Sequence, residues 1–571
     1  MNWQILGKLN NSRGVMPACA GKHHAATQKQ QEILDILLSN RGLKIKKQIE
    51  EFLEPKKPEE YSLKEVGIDS KQVKKAIIRI EKAIKCKEKI IVYSDYDADG
   101  ICGGAILWET LNKLGANVLP YVPMRDTEGY GLSEIGIENI LTDEFYTKNG
   151  KVGLIITVDH GITANKATEY AHKKGIEVII CDHHQKGKKD PKALAIIHTT
   201  ALCGAGAAYF FTNELVKEKE STNKNNLELA AIATVSDMVP LTGANRSIVK
   251  HGLLELNKTK RTGLLELYQE AGLPLGNIGT YEIGYIIAPR LNAMGRLVHG
   301  LDALRLLCTK NKEKAYELAQ KLGLTNKERQ DLTLNTSLHA KKLWRESINN
   351  TEKLIYLHHE TYNAGVIGLV AGKLVEEFYK PAIVIAKGEK YSKASARSIV
   401  GFNIIEHIRK ASSILVNAGG HPMAAGFTVE TEKLEELKDL LVGLANEEIS
   451  DEQLIKSFRI DCEIKLADIN LELYKKIQDF APFGMGNPEP VFAIRGLSVN
   501  NSQLMGNEGK HLKLWVSENG SASLEALAFG SARETSKLTG DKIDLAFNLM
   551  LNSWNGREKL QLKVKDIKTT E

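Results

Sequence analysis

The sequence predicts an α/β protein with an open parallel sheet in its first half, a second α/β region behind a helical connector, and a small β barrel or sandwich at its end. Three observations carry this reading. From about residue 61, apolar runs such as Lys89–Tyr93 and Val152–Val158 alternate with stretches of helical periodicity, and strands alternating with helices pair in parallel through right-handed crossovers. Leu301–Ser347 is rich in Lys and Glu at helical spacing, the pattern of a connector with solvated faces. From about Ser457, short runs alternate apolar and polar residues between turn signals, which suits a small barrel or sandwich.

Taken in order, residues 1–60 are polar, with one helix expected over Lys29–Asn40 and the charged, Pro-containing stretch Glu54-Pro55-Lys56-Lys57-Pro58; they read as an appendage and linker. Val73, Ile77, Ile80 and Ile84 place a helix over Lys71–Cys86. A strand Lys89–Tyr93, a glycine-bearing turn and a helix Gly103–Leu114 follow, with further strands at Val118–Val122, Val152–Val158 and Ile176–Cys181. The second α/β pattern has strands at Leu354–Leu357 and Ala382–Ala386, and the last region at Pro490–Ile494, Lys513–Val516, Glu525–Phe529 and Lys559–Lys565. No internal repeat is visible, and the one short polar run is Ser221–Asn226.

Composition narrows the classes of function. A chain of 571 residues with 43% hydrophobic and 26% charged residues is ordinary globular material with room for several domains. The net charge of +6 makes no polycation, so nucleic-acid binding must come from a local basic surface. No apolar run approaches the roughly 20 residues that span a bilayer. Ala18-Cys19-Ala20 has no apolar segment before it, which argues against a signal peptide. Seven scattered cysteines, none in a Cys-x-x-Cys pair, disfavour a disulfide framework or zinc ribbon and favour a reducing, cytoplasmic setting.

The chemistry is concentrated at strand ends. Asp95-Tyr96-Asp97-Ala98-Asp99-Gly100 follows an apolar strand directly. Carboxylates at this spacing stay ionised together only if cations or hydrogen-bond donors compensate them. An EF-hand loop would need Glu at its twelfth position, where Ile106 stands, so that reading fails. Val152–Val158 runs into Asp159-His160-Gly161, and Ile176–Cys181 into Asp182-His183-His184. Ligands of open parallel sheets sit outside the carboxyl ends of the strands, so Asp95, Asp97, Asp159, His183 and His184 converge on one edge. A surface Asp after one strand is commonplace; three such clusters on one sheet are not. Asp237, ending an apolar helix, is either a cap or a ligand. A set of carboxylates and imidazoles without thiolate suits Mn²⁺ or Mg²⁺ and disfavours zinc. Two such ions about 3.5–4 Å apart serve in-line displacement at phosphorus, which predicts metal-assisted phosphodiester hydrolysis.

The order Asp-x-Asp-x-Asp-Gly, Val-Asp-His-Gly, Asp-His-His and Ser236-Asp237-Met238-Val239-Pro240 resembles the DHH phosphoesterases. Within them, Leu202-Cys203-Gly204-Ala205-Gly206, Pro289-Arg290-Leu291-Asn292-Ala293-Met294-Gly295-Arg296, Gly365-Val366-Ile367-Gly368 and Gly419-Gly420-His421-Pro422-Met423 resemble the RecJ branch of single-strand-specific exonucleases. So does Pro482-Phe483-Gly484-Met485-Gly486-Asn487-Pro488-Glu489-Pro490, ahead of the last region. The resemblance covers nearly everything after residue 60. It implies a DHH catalytic domain over 61–270, a helical connector over 271–345, a DHH-associated domain over 346–450 and an OB-fold nucleic-acid-binding domain over 451–571. It makes Asp95, Asp97, Asp159, His183 and Asp237 the ligands of two Mn²⁺ or Mg²⁺ ions, and sets His184 beside the scissile phosphate. Catalysis then rests on Asp159, His183 and His184, while Asp99 and Asp182 hold loops and orient ligands. Arg290, Asn292, Arg296, Ser395, Arg397 and His421 resemble positions that grip the strand's phosphates, a surface salt bridge being the plain alternative for the arginines.

Two departures stand out. Many relatives have His where this chain has Tyr93, and Trp-His where it has Tyr362-Asn363, so Asn363 is given no catalytic role. Gly365–Lys373 lacks the Ser or Thr and the first glycine of a phosphate-binding Walker loop, and close helix–sheet packing accounts for its glycines. In the last region, Phe492, Trp515, Phe529, Phe547 and Trp554 lie among Lys510, Lys513 and Arg557. Most of these aromatics are expected in a core, with Trp554 the candidate stacking residue. The resemblance implies an exonuclease that removes 5′-mononucleotides from single-stranded DNA in the 5′–3′ direction, in DNA repair and recombination, with repair proteins as partners; nothing in the sequence demands more than a monomer. Two alternatives are a phosphodiesterase for short oligonucleotides or cyclic dinucleotides, whose members generally lack the terminal barrel, and a silent replication scaffold, whose members tend to lose metal ligands.

Overall fold

The computed structural model describes residues 1–7, 9, 28–148, 150–217, 226–347, 351–506, 509–530, 538–554 and 556–569, the side chain of Trp554 excepted. The chain forms two compact units. One comprises Tyr61–Asp237 and His251–Lys456; the other is assembled from Met1–Glu60, Met238–Lys250 and Ser457–Glu571.

The larger unit is built on a five-stranded parallel sheet in the spatial order Asn117–Tyr121, Lys89–Ser94, Val152–Val158, Glu177–Asp182, Ala195–His198. Ile90, Ile91, Val92 and Tyr93 are all fully buried, because helices cover both faces of a parallel sheet and its central strands have no wet side. Register then sets the site. Ser94 lies opposite Val158, and Val158 opposite Cys181. The ladder runs one residue further, Asp95 N–H to the Val158 carbonyl at 3.2 Å and Asp159 N–H to the Cys181 carbonyl at 3.0 Å. Asp95, Asp159 and Asp182 are thereby set side by side. The helix after the first strand spans Ala98–Lys113, starting five residues before the expected Gly103, because the Asp97 carboxylate caps it by accepting from the Asp99 and Gly100 N–H groups. Gly103 lets this helix press on its neighbours: a Cβ there would stand 2.5 Å from Val158 Cγ1 and 3.1 Å from the Ala205 Cα.

The connector contains a π-helical turn, Ile283–Ile287, running into the helix Ala288–Leu297, and a 35-residue helix, Lys312–Glu346. A second five-stranded sheet follows in the order Leu415–His421, Ala424–Glu430, Tyr391–Arg397, Ala382–Ala386, Ile355–His359. Only its last pair is parallel. The three strands at its antiparallel end escaped the sequence reading, since Tyr391–Arg397 and Leu415–His421 hold Ala, Ser, Gly and charged residues in place of an apolar run.

In the smaller unit, Phe492–Met505, His511–Ser517, Leu524–Ala528, Arg557–Thr569 and Lys542–Trp554 form a sheet that closes when its first strand pairs with its last, making a five-stranded barrel. Ser457–Glu463 and Asn2–Gly7 extend it in parallel, Asn2 opposite Ser457. Residues 1–60 therefore differ from the appendage and linker expected. Ile33, Leu34, Leu37 and Leu38 of the helix Gln28–Asn40 share one core with Cys462, Phe492 and Phe547. The reason is burial: this amphipathic helix covers apolar barrel surface that would otherwise face water. Arg246 adds a polar staple, with its guanidinium over the Phe52 ring at 3.8 Å and donating to the Phe52 and Ala481 carbonyls. Among the described residues, no helix is long and apolar enough to cross a membrane.

Candidate metal centre and adjoining cavity

The edge of the parallel sheet gathers every acidic and imidazole residue that the strand-end motifs proposed. Three sets of ligand-type atoms lie within 4.8 Å of one another: Asp95, Asp97 and Asp159; Asp99, His183 and Asp237; and Asp159, His183 and His184. His183 Nε2 is 3.0 Å from Asp159 Oδ1 and 3.7 Å from Asp237 Oδ2. Asp95 and Asp159 are almost wholly buried. Asp159 adopts the left-handed conformation, φ 65°, a costly state for a non-glycine residue that aims its carboxylate inward. Gly204 makes the room, since a Cβ there would lie 2.7 Å from the Asp159 Cβ.

Hydrogen bonding separates two kinds of carboxylate. Asp99 and Asp182 are satisfied by backbone. Asp99 accepts from Gly204 and Ala205 N–H, both at 2.7 Å. Asp182 accepts from Ile162 N–H, from His183 N–H and from the His184 ring at 2.8 Å. By contrast, Asp95 Oδ1, Asp159 Oδ1 and His183 Nε2 are buried without a hydrogen-bond partner. Buried polar atoms left unpaired are expensive, and a cation is the partner this donor set fits.

The electrostatics agree. Burial, then the charge of Asp97, pushes the Asp95 carboxyl well above its ordinary range, and burial with the charges of Asp99, Asp97 and Asp95 does the same to Asp159. Asp237 is pushed up to about 9 by burial and the charges of Asp99 and Asp97. Burial also opposes ionisation of Asp182, but hydrogen bonds from His184 and the backbone outweigh it and hold its carboxyl below the usual range. For His184, burial disfavours the charged ring, yet Asp182 outweighs it and raises the pKa. His160 is lowered to about 4 by burial; its ring is tied to the Tyr93 carbonyl and the Leu132 N–H.

Beside the carboxylates opens a cavity of about 520 Å³, lined on one side by Asp95, Asp97, Arg125 and Tyr130, and on the other by Ser395, Arg397 and Gly426 of the second sheet. Asn292 and Arg296 of the connector also line it, with Asn292 Oδ1 accepting from Ala98 N–H at 2.6 Å. Burial, then the charges of Arg125 and Arg329, lowers the Arg296 pKa to about 10, so guanidiniums crowd here without compensating one another. Gly368 leaves space for this group, since a Cβ would stand 2.9 Å from Ser395 Oγ and 3.1 Å from Arg397 Nη2.

Other expected residues lie elsewhere. Arg290 pairs with Glu270 at 2.7 Å and donates to the Ile286 carbonyl, away from the cavity lining. His421 ends an exposed strand and is not among the lining residues. The Trp554 side chain lies outside the described residues. Asn363 accepts from Gly365 N–H, a turn contact, and the fully buried Tyr93 donates to the Gly131 carbonyl. Arg125, Tyr130 and Lys393 line the cavity but were missed. Arg125 had a signal, falling just after the strand expected at Val118–Val122, on the same sheet edge as the aspartates.

This fold and this edge define a class. Family models match in chain order: the DHH family N-terminal domain over residues 89–234, the DHHA1 domain over 351–447 and the RecJ OB domain over 460–566. The chain is 35% identical to the single-stranded-DNA-specific exonuclease RecJ of Bacillus subtilis over 94% of its own length and 68% of that protein's. Its identity to RecJ of Thermus thermophilus is 30%, over 88% of this chain and 72% of the relative. A crystal structure of Thermus thermophilus RecJ with Mn²⁺ superposes with a TM-score of 0.79 at 27% identity, covering 95% of this chain and 76% of that one. The same protein with Mg²⁺ gives a TM-score of 0.73 at 26% identity, covering 95% and 75%. The chain belongs to the RecJ family of DHH proteins.

Proposed function

We propose that the chain is a metal-dependent exonuclease that degrades single-stranded DNA from its 5′ end and releases 5′-mononucleotides, acting in DNA repair and recombination in the cytoplasm as a monomer. The observation that carries the reading is the pairing of buried, unpartnered ligand atoms on Asp95, Asp159 and His183 with an arginine-lined cavity directly beside them. One end of that arrangement suits divalent cations and the other suits phosphate. Asp95, Asp97, Asp159, His183 and Asp237 are the residues that would hold two Mn²⁺ or Mg²⁺ ions. Bound there, such ions supply Lewis acidity toward water and toward the phosphoryl oxygens.

The chain's own residues do the rest. Arg296 and Arg397, with Ser395 and Asn292, bind and orient the phosphates. Guanidiniums suit this because their planar fork matches two phosphate oxygens at once. Asp99 and Asp182 fix the backbone around the ligands, and Asp182 also holds His184 Nδ1. The cavity's size suits a nucleotide unit better than a paired duplex end, which supports single-strand preference. The barrel suits a strand-holding role by analogy with other five-stranded oligonucleotide binders.

The test uses single strands labelled at the 5′ or the 3′ end, with Mn²⁺ or with EDTA, on wild type and Asp159→Ala. Immediate release of labelled mononucleotide from the 5′ end alone, abolished by EDTA and by the substitution, is the expected result. Inert long strands with rapid cleavage of di- or trinucleotides would move the assignment to a short-oligonucleotide phosphodiesterase.

A further inference from the structure

A second cavity, of about 770 Å³, lies within the larger unit and shares no lining residue with the one beside the metal centre. It opens at the other end of the helix Ala98–Lys113. Asp97 caps the start of that helix at the acidic edge, whereas Trp108 and Lys113, from its last turns, line the second cavity. At a rise of about 1.5 Å per residue, the 16-residue helix spans about 24 Å.

The charges around this cavity do not balance. Five Lys and Arg side chains line it against three Glu. Arg261 engages two of the glutamates, donating to Glu109 at 2.6 and 3.1 Å and to Glu228 at 2.8 Å, and Lys258 pairs with the third, Glu255, at 3.1 Å. Lys113, Lys260 and Lys310 are exposed and have no ion pair or hydrogen bond among the described residues. Helix ends account for two of them: Lys113 closes Ala98–Lys113 and Lys310 stands just past Leu301–Cys308, where a cation is favoured. They do not account for Lys260. It precedes by two residues the helix Thr262–Glu270, which starts at the cavity with no side chain capping it. An ammonium at the positive end of a helix is disfavoured, and a bound anion answers both features at once. Trp108 adds a ring. Its Nε1 donates to the Val118 carbonyl at 3.3 Å, so its polar atom is spent on the protein and the indole offers the cavity apolar carbon.

We propose that this cavity is a second nucleotide site, with a phosphate held by Lys113, Lys260 and Lys310 at the start of the Thr262–Glu270 helix and a base laid on Trp108. Uncompensated ammoniums select the phosphate, an aromatic face accepts any base, and the volume is that of a small-molecule site. Its three carboxylates are all engaged by cations, so it binds without a metal and without cleavage. A free mononucleotide and a nucleotide within a strand present this same chemistry. The proposal goes beyond the exonuclease reading and does not depend on it.

The experiment photolabels the full chain with 8-azidoadenosine 5′-monophosphate in EDTA and maps the adducts by tandem mass spectrometry. Adducts are expected in the peptides that carry Trp108–Lys113 and Lys258–Thr262. Lys260→Glu combined with Lys310→Glu, both at exposed positions, should cut labelling there by about tenfold or more while the thermal midpoint and circular dichroism stay at wild-type values. Lys260→Arg keeps the charge and should label as wild type does. No adduct in these segments, or labelling that charge reversal leaves unchanged, would overturn the proposal. Competition identifies the source: protection by 5′-dTMP marks a site for free nucleotide, and protection by 5′-phosphorylated oligothymidylate alone marks a site for a strand. Adenosine protecting as well as the phosphorylated forms would overturn the phosphate contact. Displacement by polyglutamate at lower concentration than by either nucleotide form would overturn the nucleotide in favour of an acidic peptide.

Discussion

His183 Nε2 and Asp159 Oδ1 stand 3.0 Å apart, yet neither atom has a hydrogen bond of acceptable geometry. The two residues come from different strand ends, and Asp159 holds a left-handed backbone to face inward. A carboxylate and an imidazole brought together without bonding to each other are arranged for a third party.

Asp159→Asn tests that arrangement from the stability side. Burial and neighbouring carboxylates oppose the Asp159 charge, so the neutral amide should raise the thermal midpoint of metal-free protein by a few degrees. The same variant should lose the stabilisation that Mn²⁺ gives wild type and lower kcat by on the order of a thousandfold. Scanning calorimetry with and without Mn²⁺ separates the two effects.

Metal uptake should release protons. Asp237 is pushed up to about 9 by burial and the charges of Asp99 and Asp97, so it holds its proton at neutral pH until a cation displaces it. Apparent Mn²⁺ affinity should therefore rise between about pH 6 and 9. Calorimetric titrations in buffers of different ionisation enthalpy count the protons, and a count of zero at neutral pH would contradict the prediction.

Arg296→Ala and Arg397→Ala should each raise KM for single-stranded DNA about tenfold, with a smaller change in kcat. Each should also reduce the slope of log affinity against log salt by about 1, because one phosphate contact and its counterion are lost. Arg290→Ala provides the contrast: its partner is Glu270, and the salt slope should stay unchanged.

Arg246→Leu should destabilise the smaller unit by about 2–3 kcal/mol. Arg246 is 1% exposed, and its guanidinium bonds to the buried Phe52 carbonyl and the part-buried Ala481 carbonyl, which lose their donor. Urea unfolding followed by barrel tryptophan fluorescence measures it.

Glu525 gives the barrel an acid limit. Burial works against its charge, but hydrogen bonds from Lys559, Lys513 and Gln561 outweigh this and bring its pKa down to about 2. With a folded pKa below the unfolded value near 4.3, its contribution is complete above that value and is lost as pH falls toward 2. With the partner Lys559 more than half exposed and the pair screened by solvent, that contribution is on the order of 2 kcal/mol, below the roughly 3 kcal/mol of an unscreened group. Glu525→Gln should flatten the stability profile of the barrel across this interval.

Part of this was legible in the chain itself. Asp95, Asp97, Asp159, His183 and His184 announce themselves because each sits directly after an apolar run, and a parallel sheet delivers its strand ends to one edge. That inference needs only local periodicity and one rule of topology. Asp237 was ambiguous because a helix end gives no direction; its 3.7 Å approach to His183 Nε2 exists only in the folded chain.

What the sequence determined alone is therefore the alternation of strands and helices around the parallel sheet, the acidic edge and its suitability for hard divalent cations, since each is encoded within a few residues of itself. What the tertiary structure decided is which distant segments share a surface. Tyr130 reaches His184, and Arg397 of the second sheet lines one cavity with Arg125 of the first. Asn2–Gly7 and the helix Gln28–Asn40 complete a barrel that begins more than four hundred residues later. These pairings carry no local signature because the free energy that selects them is the burial of surfaces that do not exist until both partners have folded.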